Sequence, residues 1–304
     1  MKLEPVALNL PNFLVIGAGK CGTSSLNHHL SCHPQIFMSP VKEPQYFAFG
    51  DQSRALQGPG DDKLISSVPP DIQSYAALFR DVGNEIAIGE ASTATIYEPR
   101  ACKRVQQTLP HAKLIAILRD PAERAFSDYL HKFRTLLEPN HRFEDALKDE
   151  SWRIKNGWSY RFHYLQRGFY YRQLKPFFET FDRRQIKIVL LEELASNPKK
   201  AFADLYSFLG VDRELCRSDY KAHNVTPHLA RWPRLTPWLR SSGRLASWPK
   251  HWFMLQAIHT FLFVKPKFAM SLRRQLIEHY RTDVEKLQEL IERDLTHWLA
   301  PGRE

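Results

Sequence analysis

Phe13-Leu-Val-Ile-Gly17-Ala-Gly-Lys20-Cys-Gly22-Thr23-Ser24-Ser25-Leu26 reads as a strand, a glycine-bearing turn and the start of a helix. Its apolar, β-branched opening suits a strand covered on both faces. The helix that begins after Gly22 turns backbone N–H groups and the positive end of its dipole toward the turn. That pairing binds phosphate without needing any particular side chain. Taken alone, such a turn serves equally well as a plain strand-to-helix connection. A magnesium-dependent triphosphate loop, G-x-x-x-x-G-K-[ST], has lysine directly after its second glycine. Here Thr23 holds that place and the lysine stands earlier, at Lys20. The candidate phosphate-binding residues are Lys20, Cys21, Gly22, Thr23, Ser24 and Ser25.

A second segment repeats the design. Lys113-Leu-Ile-Ala-Ile-Leu-Arg119-Asp-Pro-Ala-Glu-Arg-Ala-Phe-Ser127 is again strand, turn and helix, with Asp120 as the cap, Pro121 at the first helical position and Glu123 placed for a capping box. Arg119 ends the strand, where a magnesium-holding aspartate would otherwise stand, and Ser127 lies two turns into the helix. An arginine fork with a hydroxyl suits a terminal phosphate monoester in the crevice of an open α/β sheet.

Together the two segments resemble the sulfotransferase superfamily. Lys20-Cys-Gly-Thr-Ser-Ser-Leu26 matches its 5'-phosphosulfate loop, K-x-G-T-[ST]-x-L, and Arg119 to Ser127 matches its 3'-phosphate element, R-[DN]-P-x-x-R-x-x-S. The likeness continues in Leu191-Glu-Glu-Leu-Ala-Ser-Asn-Pro198, in Phe208-Leu-Gly210 and in Arg293-Asp-Leu-Thr-His-Trp298. It implies an α/β, P-loop-like three-layer fold, a central parallel sheet flanked by helices, in a single domain over 1–304. It also implies 3'-phosphoadenosine 5'-phosphosulfate as donor and no metal. His33-Pro-Gln-Ile-Phe-Met-Ser-Pro-Val-Lys42-Glu43-Pro-Gln-Tyr-Phe47 is similar to the heparan sulfate and carbohydrate branch. That likeness implies Glu43 as the base, with Lys42 orienting it or meeting the transferring group and Lys20 neutralising the leaving oxygen. It further implies a hydroxyl-bearing acceptor on a glycan or lipid-linked glycan, and no nucleic acid. Gly89-Glu-Ala-Ser-Thr-Ala-Thr-Ile-Tyr97 resembles a substrate-side element, with Ala91 where carbohydrate enzymes often have lysine. Lys221 and Asn224 fall where relatives close a lid over the nucleotide.

Strands are expected at Phe13 to Ile16, Ile86 to Gly89, Lys113 to Leu118 and Ile186 to Leu191, with a weaker one at Gln35 to Met38. Asn197-Pro198 starts a helix that Gly210 stops, Asp51 to Pro70 reads as a long surface loop, and a last amphipathic helix is expected over Leu272 to Leu299.

The 304 residues are 43% apolar and 25% charged, with a formal net charge of +10, which points to an anionic partner without naming it. Ten Lys or Arg residues and no Asp or Glu lie between Tyr220 and Ile277. A basic helical insertion is expected at about 228–270, whose residues 231–267 enclose the apolar run Trp252 to Val264. Such a segment can lie on an anionic membrane, cover a buried helix or steer an acidic acceptor. Four cysteines without C-x-x-C spacing, no signal-peptide pattern and no apolar run long enough to cross a bilayer lead to a cytoplasmic expectation, with peripheral membrane contact through 231–267. Two other readings stay open: a P-loop small-molecule kinase, which would need lysine after Gly22 and a magnesium carboxylate, and a basic binding protein without chemistry, marked by salt-dependent binding.

Overall fold

A computed structural model describes residues 8–50, 56–135, 137–215, 229–230, 263–264 and 268–300. β1 (Phe13–Gly17), β2 (Ile36–Met38), β3 (Ala87–Ala91), β4 (Lys113–Leu118) and β5 (Ile186–Leu190) form one sheet in the order β2-β3-β1-β4-β5. Every pairing is parallel, from Phe13 opposite Gly89 and Lys113 to Leu118 opposite Leu190. Parallel strands need crossovers, and helices supply them: α1 (Thr23–Ser31) after β1, α2 (Ala101–Thr108) before β4, and α3 (Pro121–Arg134) and α4 (Tyr170–Thr180) between β4 and β5. α5 (Pro198–Leu209) and α6 (Met270–Ile291) follow.

The expected strands sit within a residue or two of their places. Leu114 to Leu118 of β4 are wholly buried, as continuous apolar runs in a doubly covered sheet should be. Each large aliphatic side chain there contributes roughly 1.5–3 kcal/mol. Asp120 caps α3 by accepting from the Ala122 and Glu123 amides at 2.8 and 3.2 Å. The Glu123 carboxylate goes to Arg119, 3.3 Å away, instead of closing a capping box. Asn197 accepts from the Lys200 amide at 3.1 Å to open α5, and Gly210, at φ 82°, closes it.

Two expectations need correction. The last helix stops at Ile291, where Glu292 turns left-handed, so Leu295 and Trp298 are buried by a separate short turn, Thr296–Trp298. The Gln288 side chain takes the Leu295 amide at 2.6 Å, which replaces the next helical bond. The stretch expected as a surface loop contains a helix, Asp61–Ser66, anchored by a fully buried Asp61 that accepts from the amides of Gly58 and Ser159, the Ser159 hydroxyl and Arg161.

The basic stretch expected as a helical insertion has strand at both ends: β6 (Leu229–Ala230) pairs antiparallel with β7 (Phe263–Val264), the last two residues of the apolar run. Lys221, Asn224 and residues 231–262 and 265–267 lie outside the described residues. Among the described residues, no helix is long and apolar enough to cross a membrane.

Candidate active site

Because the strands are parallel, their C-terminal ends share one edge of the sheet, and the segments that leave four of them build the site. Gly17 leads to the Lys20 loop, Met38 to Lys42 and Glu43, Ala91 to Ser92 and Thr93, and Leu118 to Arg119. β1 lies between β3 and β4, so the loop after β1 is central.

Gly22 caps α1 at φ 95°, a conformation that costs an ordinary residue, and a Cβ there would meet Leu191 at 2.9 Å. Gly19 has no room for a Cβ because the Arg167 guanidinium lies directly over it. Lys20 takes φ 71°. Burial pulls its ammonium down to about 8; Asp128 opposes the fall, and Lys132, Arg134 and Arg167 add to it. Cys21 is buried, its Sγ 3.5 Å from the Tyr170 hydroxyl, so any contact it makes with an anion comes from its backbone. Thr23 is also buried.

Lys42 joins two segments of the site. Its Nζ donates to Ser24 Oγ at 2.6 Å and stands 3.9 Å from Glu43 Oε1. The Glu43 side chain is 31% exposed, open to an incoming group. Its other oxygen, Oε2, accepts from Gln45 Nε2 at 2.7 Å and from Thr93 Oγ1 at 3.1 Å. Below lies Glu90, wholly buried; burial, with a smaller push from Glu43, raises its carboxyl to about 8 against the Ser92 hydrogen bond, so it is protonated at neutral pH.

On the β4 side, Arg119 pairs with Glu123 and Ser127 is buried on α3. One residue further, Asp128 sits at the centre of a buried cationic cluster: Arg167 at 2.5 Å, Arg124 at 3.2 Å and Lys132 at 3.5 Å. Burial alone would raise its carboxyl, but Lys132, Arg167, Arg124 and Lys20 outweigh that and hold it well below the usual carboxylate range. The charge coupling between Lys20 and Asp128 links the two expected phosphate segments.

Sequence reading did not find Gln45, Arg167 or Asp128 as site residues. Gln45 lies within the Lys42-Glu43 motif and Asp128 directly after Ser127, so adjacency was the available signal. Arg167 stacks over the Tyr160 ring at 4.9 Å, which no local pattern announces. The aromatic cluster around 158–171 is largely core: Tyr160, Phe162, Tyr164 and Tyr170 are buried. His163 is held by the Tyr97 hydroxyl at 2.8 Å and the Trp158 carbonyl at 3.1 Å, and burial pulls it down to about 4, which leaves it neutral. His29 packs edge-on against Phe202 at 5.0 Å.

Residues 10–227 match the family described as the sulfotransferase domain. A crystal structure of a sulfotransferase from Alicyclobacillus acidocaldarius superposes with a TM-score of 0.79 at 31% identity, covering 96% of this chain and all of that one. Human carbohydrate sulfotransferase 15 is 29% identical over 249 residues, 66% of this chain and 44% of the human protein. A Drosophila melanogaster bifunctional heparan sulfate N-deacetylase/N-sulfotransferase is 29% identical over 225 residues, 71% of this chain and 21% of the fly protein. The chain thus spans less than half the length of either of these two relatives. A five-stranded parallel sheet with helices on its faces, two phosphate-type segments at one edge and a family match over most of the chain lead to one placement: this protein belongs to the sulfotransferase family.

Proposed function

We propose that the chain transfers a sulfuryl group from 3'-phosphoadenosine 5'-phosphosulfate to a hydroxyl of a carbohydrate acceptor, with Glu43 as base. The observation that carries this reading is the convergence of Lys20, Lys42 and Glu43 at one sheet edge, with Lys42 within reach of both Ser24 and Glu43. The sulfuryl group carries spread negative charge and moves between two oxygens in line, so the protein's work is positioning and charge stabilisation. The acceptor oxygen bonds to sulfur and its proton passes to Glu43. The bond from sulfur to the bridging oxygen breaks, and that oxygen leaves with the electron pair on the adenosine bisphosphate. Lys20 neutralises the charge that appears there. Lys20 to Ser25 hold the 5'-phosphosulfate, through side chains and loop amides, and Arg119 with Ser127 hold the 3'-phosphate.

The carbohydrate acceptor is supported by the relatives, whose names specify carbohydrate and heparan sulfate. The free, buried thiols of Cys21 and Cys102 fit a reducing, cytoplasmic setting, and the basic stretch of 231–267 is proposed as a peripheral contact with anionic membrane or acceptor.

The test is label transfer from radiolabelled donor, in EDTA, to a panel of desulfated glycosaminoglycans, lipid-linked glycans and small hydroxyl compounds, with Glu43→Gln alongside. Glu43→Gln should lower turnover about 10²- to 10⁴-fold while the affinity for adenosine 3',5'-bisphosphate holds. Turnover that needs added magnesium, or a Glu43→Gln variant as active as the parent, overturns the reading.

A further inference from the structure

We infer that Gln45 is a positioning residue for Glu43: with Thr93 it pins Oε2 and leaves Oε1 as the oxygen that receives the acceptor's proton. The inference rests on reading Glu43 as the base. It begins with an amide whose hydrogen-bonding atoms are all engaged. Gln45 is 0% exposed. Its Nε2 donates to Glu43 Oε2 at 2.7 Å and to the Tyr160 hydroxyl oxygen at 2.9 Å, and its Oε1 accepts from the Ala94 amide at 3.3 Å. A flipped amide would set oxygen against carboxylate and nitrogen against a backbone donor, so the partners fix one orientation.

The frame around this amide is anchored in the sheet. The Gln45 main-chain amide donates to Ser92 Oγ at 2.9 Å, and Ser92 donates to the buried Glu90 at 2.7 Å, at the end of β3. The Arg167 guanidinium lies over the Tyr160 ring, 4.9 Å from its centroid. Glu43 and Gln45 both take φ 58°. Left-handed backbone costs an ordinary residue roughly 1–2 kcal/mol, and strain of this kind persists only where surroundings impose it. Glu43 Oε2 and Gln45 Nε2, two residues apart in the chain, meet at 2.7 Å in this conformation.

The two carboxylate oxygens are therefore unequal. Oε2 has two donors within hydrogen-bond range, which occupy its lone pairs. Among the described residues, Oε1 has only the Lys42 ammonium as a charged neighbour, at 3.9 Å, beyond a hydrogen bond. Oε1 is the oxygen left for the acceptor hydroxyl. The Gln45 clamp keeps it aimed, and a small misplacement of a reacting group can cost on the order of 10²-fold in rate.

The test compares Gln45→Met, which keeps length and removes the donor, with Thr93→Val, which removes the second donor from the same oxygen. With desulfated heparan sulfate as acceptor, Gln45→Met should lower kcat about ten- to a hundredfold, and Thr93→Val by less. The affinity for adenosine 3',5'-bisphosphate should stay within twofold of the parent in both. In a Glu43→Gln background Gln45→Met should cost less than twofold, because the group it positions is already gone. Crystal structures of both variants with the bisphosphate give a readout that needs no acceptor: the Glu43 carboxylate should leave its present place or split between conformers. A Glu43 carboxylate that stays in place, or an equal loss in both backgrounds, overturns the inference while the base reading stands. Full activity of Glu43→Gln alone removes the base reading itself, and the inference with it.

Discussion

Lys42 donates to Ser24 across 2.6 Å, so the residue beside the proposed base is tied directly to the first turn of the helix that opens the phosphate loop. Glu43 Oε1 lies 3.9 Å from the same ammonium. A change at Lys42 should therefore be felt on both sides of the reaction. Lys42→Met is expected to weaken bisphosphate binding severalfold and to lower kcat about tenfold or more, as loss of one charge-assisted contact of roughly 1.5–3 kcal/mol would do. Glu43→Gln should lower kcat alone. Calorimetry beside turnover separates the two patterns, and a Lys42→Met variant with unchanged bisphosphate affinity would remove the proposed bridge.

Arg119 and Ser127 are assigned to the 3'-phosphate, and the assignment has a selective test. Arg119→Ala and Ser127→Ala should weaken binding of adenosine 3',5'-bisphosphate by about ten- to a hundredfold for the arginine, a charge-assisted contact, and by less for the serine. Adenosine 5'-monophosphate, which lacks the 3'-phosphate, should be affected little. Equal losses for the two nucleotides would place these residues elsewhere in the site.

Lys20 gives the donor site a pH limit. Its ammonium, pulled down to about 8 by burial and by Lys132, Arg134 and Arg167, is charged at pH 7 and loses its proton as pH rises through 8. Bisphosphate affinity should fall above that value, and binding at pH 8.5 should take up protons, seen as a dependence of the calorimetric enthalpy on buffer. Stability moves the other way: between about 8 and the ordinary lysine value of 10.5 the folded chain holds fewer protons than the unfolded one, so this group's contribution rises with pH. Lys20→Arg, charged throughout, should bind without the break near 8.

Asp128 is the counter-charge for Arg124, Lys132 and Arg167. Asp128→Asn leaves buried cations unpaired and should destabilise the fold by about 3–5 kcal/mol. Held below the usual carboxylate range, Asp128 contributes stability that is present above its unfolded value of 3.8 and lost as pH falls toward its folded value. Denaturant melts at pH 7 and pH 3 should show the variant's deficit shrinking in acid; a deficit that does not change with pH would contradict the charge account.

The strands, the Asp120 cap and the Asn197 to Gly210 helix were legible in the sequence because each is written in neighbouring residues: β-branched runs, a proline after an oxygen-bearing cap, a glycine at the end. The strand, turn and helix of both segments expected to bind phosphate were legible for the same reason. The clamp on Glu43 was not. Gln45 meets Tyr160 across 115 positions, and Asp128 meets Arg167 across 39. Such contacts arise only once parallel strands have brought distant loops to one edge, and no local pattern records them. Asp61 was misread as part of a surface loop because its partners, Ser159 and Arg161, lie about a hundred residues on.

The edge that gathers Lys20, Glu43, Thr93 and Arg119 draws one residue from behind each of four strands, β1 to β4. The proposed site is thus gathered across the sheet from segments that lie far apart along the chain. Lys20, Glu43 with its clamp and Thr93 come from behind β1, β2 and β3, and Arg119 from behind β4, so a contiguous fragment must run from residue 13 to residue 119 to carry all of them. The proposed chemistry therefore depends on the crossovers that order these strands as much as on the site residues themselves.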